Sequence, residues 1–162
     1  MRIIIALLLL FECTLSFAGN KPFVFKETGQ LPSGTRYAIE VSEIPFKRTP
    51  DTRPDDGSLW GIDGGYPETI VRRFSLQLND KDVWIPWKLY SDICHVRKVL
   101  VRESNGSVLI DIMGGDAAGS YAAQYKFKNQ RLVERMVRVG EFPKQVWEKT
   151  VLYNELWKNP DM

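Results

Sequence analysis

The chain has 162 residues, a formal net charge of +2, and 44% hydrophobic and 26% charged residues. This length suits one domain, and a charge so close to neutral argues against nucleic acid or an anionic membrane surface as the partner.

The N-terminal segment Met1–Ala18 has the pattern of a cleaved signal peptide. Arg2 provides a positive start, a short apolar run follows, and Ser16 and Ala18 are small residues at the positions that signal peptidase inspects. The apolar run is shorter than the roughly 20 residues of a membrane-spanning helix. We therefore expect an exported protein, periplasmic or secreted, with no membrane span and with residues 19–162 as its single domain.

Cysteine usage fits such a protein only if the fold is held together by burial. Cys13 would leave with the signal peptide, so Cys94 would have no intramolecular disulfide partner. A lone thiol in an oxidising compartment is safest inside the core, and we expect Cys94 to be buried.

The first part of the predicted domain indicates strands separated by a long loop. Residues 21–29 suit an edge strand, and 36–43 alternate between apolar and polar side chains, as a half-buried strand does. Residues 45–68 are rich in proline, glycine and aspartate, which predicts a long loop. Its second half carries Trp60 and Tyr66 and is expected to dock on the sheet.

The middle of the chain continues the strand pattern. Thr69–Leu78 is predicted as a strand with Ile70, Phe74, Leu76 and Leu78 on one face, and Arg72 falls on that same face. A strand near Val83 follows. Trp87–Ile93 lacks strand alternation and predicts one short helical turn.

The strongest signals predict a β-meander over residues 97–139. Asn105-Gly106 between two apolar runs predicts a tight hairpin, and Asn129-Gln130 predicts another turn. Gly114–Ser120 is predicted as a wide connection whose glycines permit left-handed φ. A last strand is expected near 147–153. The fold class is therefore all-β: an antiparallel meander of about eight strands that forms a curled sheet or barrel, with a two-sheet β-sandwich as the alternative.

The sequence gives little support for catalysis. Cys94 and His95 are adjacent, so on a strand their side chains point to opposite faces and cannot form a dyad. One histidine and one mature cysteine are too few for a usual zinc site, and Gly114–Ser120 lacks the helix and lysine of a phosphate loop. We expect no catalytic residue, no metal and no cofactor.

Carboxylates leave two alternatives open. Asp63 and Asp116 are flanked by glycines and could offer oxygen ligands to calcium, although no EF-hand pattern is present. Asp63, Asp116, Glu134 and Glu148 could also serve a carboxylate-dependent hydrolase that acts on an envelope glycan. For each residue, an ordinary turn or surface role is the more common one.

The expected function is binding without chemistry, to an envelope or extracellular protein or to a small ligand. The candidate surface combines the loop with the tip of the glycine-rich connection; its residues are Trp60, Asp63, Tyr66, Asp116 and Tyr121. A second candidate is a basic patch along the last hairpin, formed by Lys126, Lys128, Arg131, Arg135 and Arg138. A charged outer face that keeps a strand edge from aggregating is the favoured explanation of these cations, and a patch for an acidic partner is the alternative.

Overall fold

The computed structural model describes residues 21–50, 54, 57–115 and 117–153, and these form nine strands in two antiparallel sheets. The four-stranded sheet contains, in spatial order, β1 (Val24–Gln30), β2 (Arg36–Pro45), β3 (Thr69–Leu78) and β4 (Lys81–Val83). The five-stranded sheet contains β5 (Val96–Ser104), β6 (Ser107–Gly114), β7 (Tyr121–Lys128), β8 (Arg131–Val139) and β9 (Val146–Val151). Two short 3-10 turns span Trp87–Leu89 and Ala117–Gly119. The predicted signal peptide lies outside the described residues.

The predicted all-β antiparallel class is confirmed. In both sheets the strands follow one another as a meander, and the predicted helical turn is present at Trp87–Leu89. Among the described strands the two sheets do not join into a closed barrel, so the two-sheet arrangement is the one observed. No helix in the described part of the chain has the length and apolar character needed to cross a membrane.

Tight turns explain why the strands pair in sequence order. In three hairpins both central residues have positive φ, as a type I′ turn requires: Asn79 (51°) and Asp80 (62°), Asn105 (50°) and Gly106 (67°), Asn129 (51°) and Gln130 (59°). Asparagine, aspartate and glycine tolerate this region best. The hairpins predicted at Asn105-Gly106 and Asn129-Gln130 are therefore confirmed.

The inward faces of both sheets share one hydrophobic core. Side chains from β2 and β3, such as Val41 and Leu76, belong to the same buried cluster as Ile110 from β6. Across the sheets, Phe74 meets Tyr125 edge to face with ring centroids 4.9 Å apart. Cys94 is fully buried, as expected.

The predicted alternation of β3 is wrong at its N-terminal end. The register between β2 and β3 shifts between Ser42 and Glu43, so that Ser42 pairs with Arg73 and Glu43 pairs with Val71. This bulge leaves Arg72 as the extra residue, exposed, while Val71 is buried. A β-bulge shifts the period-two pattern by one residue, and the sequence pattern alone does not show it.

Candidate functional site

The second half of the long loop is bonded into the fold at Trp60. The Trp60 N–H donates to the Asp92 carbonyl, and the Cys94 N–H donates to the Trp60 carbonyl, each at 2.8 Å. These bonds make Trp60 a single-residue parallel bridge with Ile93. The predicted docking of this half-loop is confirmed.

Two glycines allow the backbones to approach closely at this point. Gly61 has a φ of +110°, and a Cβ there would lie 2.3 Å from the Cys94 carbonyl oxygen. Gly115 has a φ of +70°, and its Cβ would lie 2.8 Å from Gly61 Cα. Any side chain would therefore collide, so these positions require glycine. The loop therefore lies beside Gly115 and Gly119 of the glycine-rich connection.

His95 fastens the docked loop at two points. Its Nδ1 lies 3.1 Å from the Gly61 carbonyl oxygen, and the Glu68 N–H donates to its Nε2 at 2.9 Å. Because Nε2 accepts a hydrogen bond, the proton of the neutral ring is on Nδ1. His95 itself has a φ of +50°. We assign His95 a positioning role for the loop. The sequence around His95 does not predict this role.

A pair of tryptophans stacks where the loop meets β9. The Trp60 and Trp147 ring centroids are 5.3 Å apart, with an interplanar angle of 13°. Trp60 is half-buried against the core, whereas Trp147 is exposed. Stacking brings together residues that are far apart in the sequence, and the alternation around Trp147 predicts a strand but not this partner.

A charged cluster lies beside this stack, inside the fold. The Arg135 side chain is only 2% exposed, and its Nη2 lies 2.7 Å from Asp92 Oδ2 while its Nη1 lies 3.2 Å from Glu148 Oε1. Tyr125, the cross-strand neighbour of Arg135, is also buried, and its hydroxyl donates to the Leu89 carbonyl at 2.6 Å. The Arg135 guanidinium, carried by β8, thereby connects β9 to the segment that precedes β5.

Burial controls the electrostatics of the cluster. Desolvation raises the pKa of the Asp92 carboxyl, although the Arg135 charge acts in the opposite direction. Three buried polar atoms in and beside the cluster have no partner among the described residues: Trp60 Nε1, Asp92 Oδ1 and Arg135 Nε.

The loop residues of the predicted surface differ in their exposure. Asp63 is exposed, and Tyr66 is half-buried beneath the Arg48 guanidinium, whose carbon lies 3.9 Å from the ring centroid. Tyr121 is in the core, where its hydroxyl donates to the Cys94 carbonyl at 3.0 Å, so its side chain does not form part of the surface. Asp116 lies outside the described residues.

The predicted basic patch is divided by the structure. Lys128 and Arg131 face each other at the end of the β7–β8 hairpin, and Lys126 is paired with Glu134 in register. Arg138 is half-buried on β8. Arg135 departs from the expectation, because it points into the core and binds two carboxylates. The structure thus removes Arg135 from the predicted patch and places Lys126 opposite an acidic residue.

Half of the large apolar side chains that are exposed in the described part of the chain lie between residues 142 and 153, at the C-terminal edge of the five-stranded sheet. We define the β9 surface as five exposed side chains on or beside β9: Phe142, Val146, Trp147, Val151 and Tyr153. A smaller aromatic pair, Trp84 and Trp87, is exposed after β4. Two adjacent grooves of about 420 and 480 Å³ lie on the four-stranded sheet, and most of the residues that line them are charged or polar.

Of the carboxylates considered for catalysis, the two on β8 and β9 are engaged by cations. Glu148 is bound to Arg135, and Glu134 lies 3.1 Å from Lys149 Nζ. Within the described ranges, no group of three or more histidine, cysteine or acidic side chains is placed to hold a metal ion.

Comparisons with protein-family models, curated proteins and solved structures found no match to this chain.

Proposed function

We propose that this chain is an exported, non-catalytic interaction protein that binds a protein partner through the β9 surface. The observation that carries the proposal is the concentration of exposed apolar side chains at residues 142–153, next to the Trp60–Trp147 stack. Several exposed apolar side chains on one short segment are typical of an interaction site, and tryptophan and tyrosine are enriched among the residues that contribute most at protein interfaces.

The partner class follows from the shape of this surface. The β9 surface is carried by an edge strand and the turn before it, whereas a small ligand generally binds in an apolar concave pocket. The two grooves on the four-stranded sheet are concave, but Lys26, Glu40 and Arg73 beside them are joined by ion pairs. A protein partner therefore fits the apolar region better than a small ligand does.

Support for export comes from the sequence. Met1–Ala18 follows the signal-peptide pattern, and a buried Cys94 is compatible with an oxidising compartment. The alternative of a glycan hydrolase gains no support from the described carboxylates, since Glu134 and Glu148 are bound to cations and Asp63 is exposed on the loop.

Site-specific photocrosslinking in cells that produce the protein tests the proposal. A photoreactive phenylalanine replaces Val151 or, as a matched control, Leu100; these side chains are 44% and 39% exposed and lie on opposite edge strands of the same sheet. Position 151 should give discrete adducts and position 100 should give none. A third variant at Trp87 tests the smaller aromatic pair. The proposal would be contradicted if only the variant at position 87 gave adducts, or if the variants at positions 151 and 100 gave equal amounts. It would also be contradicted if no variant gave an adduct.

A further inference from the structure

The four edge strands of the two sheets differ in how well their side chains prevent another strand from pairing with them. β4 has three residues and is soon followed by Pro86, β5 carries Lys98 and Arg102, and β1 carries Lys26. Short length, proline and charged side chains are the usual means of preventing strand addition. β9 also carries a cation, Lys149, which pairs with Glu134, but it differs from the other edges in exposing large apolar side chains at both of its ends.

The hydrogen-bonding direction of β9 is defined by its pairing with β8. The Leu152 N–H donates to the Val133 carbonyl at 3.0 Å, and the register stays regular from Glu148 to Val151. Because the direction alternates along an antiparallel strand, Lys149 and Val151 direct their N–H and C=O groups away from β8. Within the described residues β9 has no second neighbour, so this edge can accept a strand.

We propose that the occupant of this edge is a second copy of the chain, which pairs β9 with β9 in antiparallel orientation about a two-fold axis at Thr150. The inference rests on the proposed function, because it names the protein that covers the β9 surface. A two-fold axis perpendicular to the sheet keeps outer faces together and makes the interface self-complementary. The two five-stranded sheets then become one continuous ten-stranded sheet.

The charges on β9 favour a register centred on Thr150 over one centred on Glu148. With Thr150 on the axis, Lys149 and the partner's Val151 form a hydrogen-bonded pair, and Trp147 comes near the partner's Tyr153. A register centred on Glu148 would place two carboxylates directly opposite each other, which is unfavourable. In the proposed register the charged neighbours are already neutralised, Glu148 by Arg135 and Lys149 by Glu134. The net charge of +2 adds little repulsion between copies.

Disulfide trapping tests both the partner and the register. Thr150 on the axis forms a non-hydrogen-bonded pair with a Cα separation of about 4.5 Å, within disulfide range, whereas Lys149 is about 7–8 Å from its own copy. T150C and K149C are prepared in a Cys13→Ser background, and oxidised glutathione is added to form the bond by thiol–disulfide exchange. T150C should give at least about fivefold more linked dimer than K149C. Equal yields would overturn the register.

Solution assembly provides an independent measurement. Sedimentation equilibrium of the wild-type protein should show a concentration-dependent dimer, and Val151→Lys should weaken it at least about tenfold, because it places a cation at the paired edge. A monomer at all concentrations, without trapping of T150C, would overturn the proposal. If position 151 photocrosslinks to a different protein, the proposed function survives and the second copy is rejected. If position 151 gives no adduct, both fail.

Discussion

Replacing Arg135 with methionine tests the charged cluster that joins three parts of the fold. Methionine retains much of the side-chain length, so the substitution removes the guanidinium while keeping most of the volume. It breaks the contacts with Asp92 and Glu148, at 2.7 and 3.2 Å, and leaves two carboxylates facing each other without a cation. The expected result is a marked loss of stability.

The expected loss in the free energy of unfolding depends on how exposed the Asp92 and Glu148 carboxylates are. Removing one member of a buried ion pair costs about 3–5 kcal/mol, because the remaining charge stays desolvated. Asp92 and Glu148 are 21% and 31% exposed, so both retain part of their hydration. We therefore expect the lower end of the range, about 3 kcal/mol, which corresponds to a decrease in Tm of about 10 °C for a domain of this size.

Urea unfolding followed by tryptophan fluorescence measures this loss. The matched control is the triple variant D92N/R135M/E148Q, in which no unpaired charge remains, and its stability should be within about 1 kcal/mol of the wild type. If R135M alone changes the free energy of unfolding by less than about 1 kcal/mol, the cluster is not the buried ion pair described above.

Two further predictions concern the same region. The pKa of Asp92 is raised above 3.8, so the folded chain holds this proton more tightly than the unfolded chain. Protonation of Asp92 therefore contributes to the free energy of unfolding. This contribution is complete below pH 3.8 and is lost as the pH rises through the pKa of the folded state. The stability of D92N relative to wild type should therefore increase with pH over that window, and parallel pH profiles would contradict this assignment. Gly61→Ala should lower the free energy of unfolding by about 2 kcal/mol or more, because of left-handed strain and collision with Cys94. The control Gly64→Ala should cost less, because a Cβ at Gly64 meets no atom within 4 Å. Equal losses of stability in thermal unfolding would show that the close approach at Gly61 is unimportant.

Local signals account for most of what the sequence predicts correctly. The hairpins at Asn105 and Asn129 depend on the φ preferences of two adjacent residues, and the strands around them depend on period-two alternation. Both signals lie within a dozen residues of the elements they specify. The long loop is equally local, because proline and glycine act on their own backbone.

Features that depend on distant residues are the ones the sequence does not show. Arg135 occupies an inward position on β8 because Asp92, 43 residues earlier, supplies a carboxylate there. The Trp60–Trp147 stack likewise requires the two sheets to be in place. A charged residue at an inward strand position is itself a signal, since burying an unpaired charge is costly and implies a partner. That signal indicates the existence of a partner but not its identity.

The cluster and the tryptophan stack together show how an edge strand such as β9 can be ordered well enough to serve as the proposed binding surface. Edge strands have one hydrogen-bonded neighbour, and they are commonly among the less stable parts of a sheet. Here Glu148 is tied through Arg135 to Asp92, and Trp147 is stacked on a loop that His95 holds in place. Side-chain contacts on β9 therefore order the strand before any partner arrives. Preorganisation of this kind lowers the entropy cost of association, so a short apolar edge can bind with few residues.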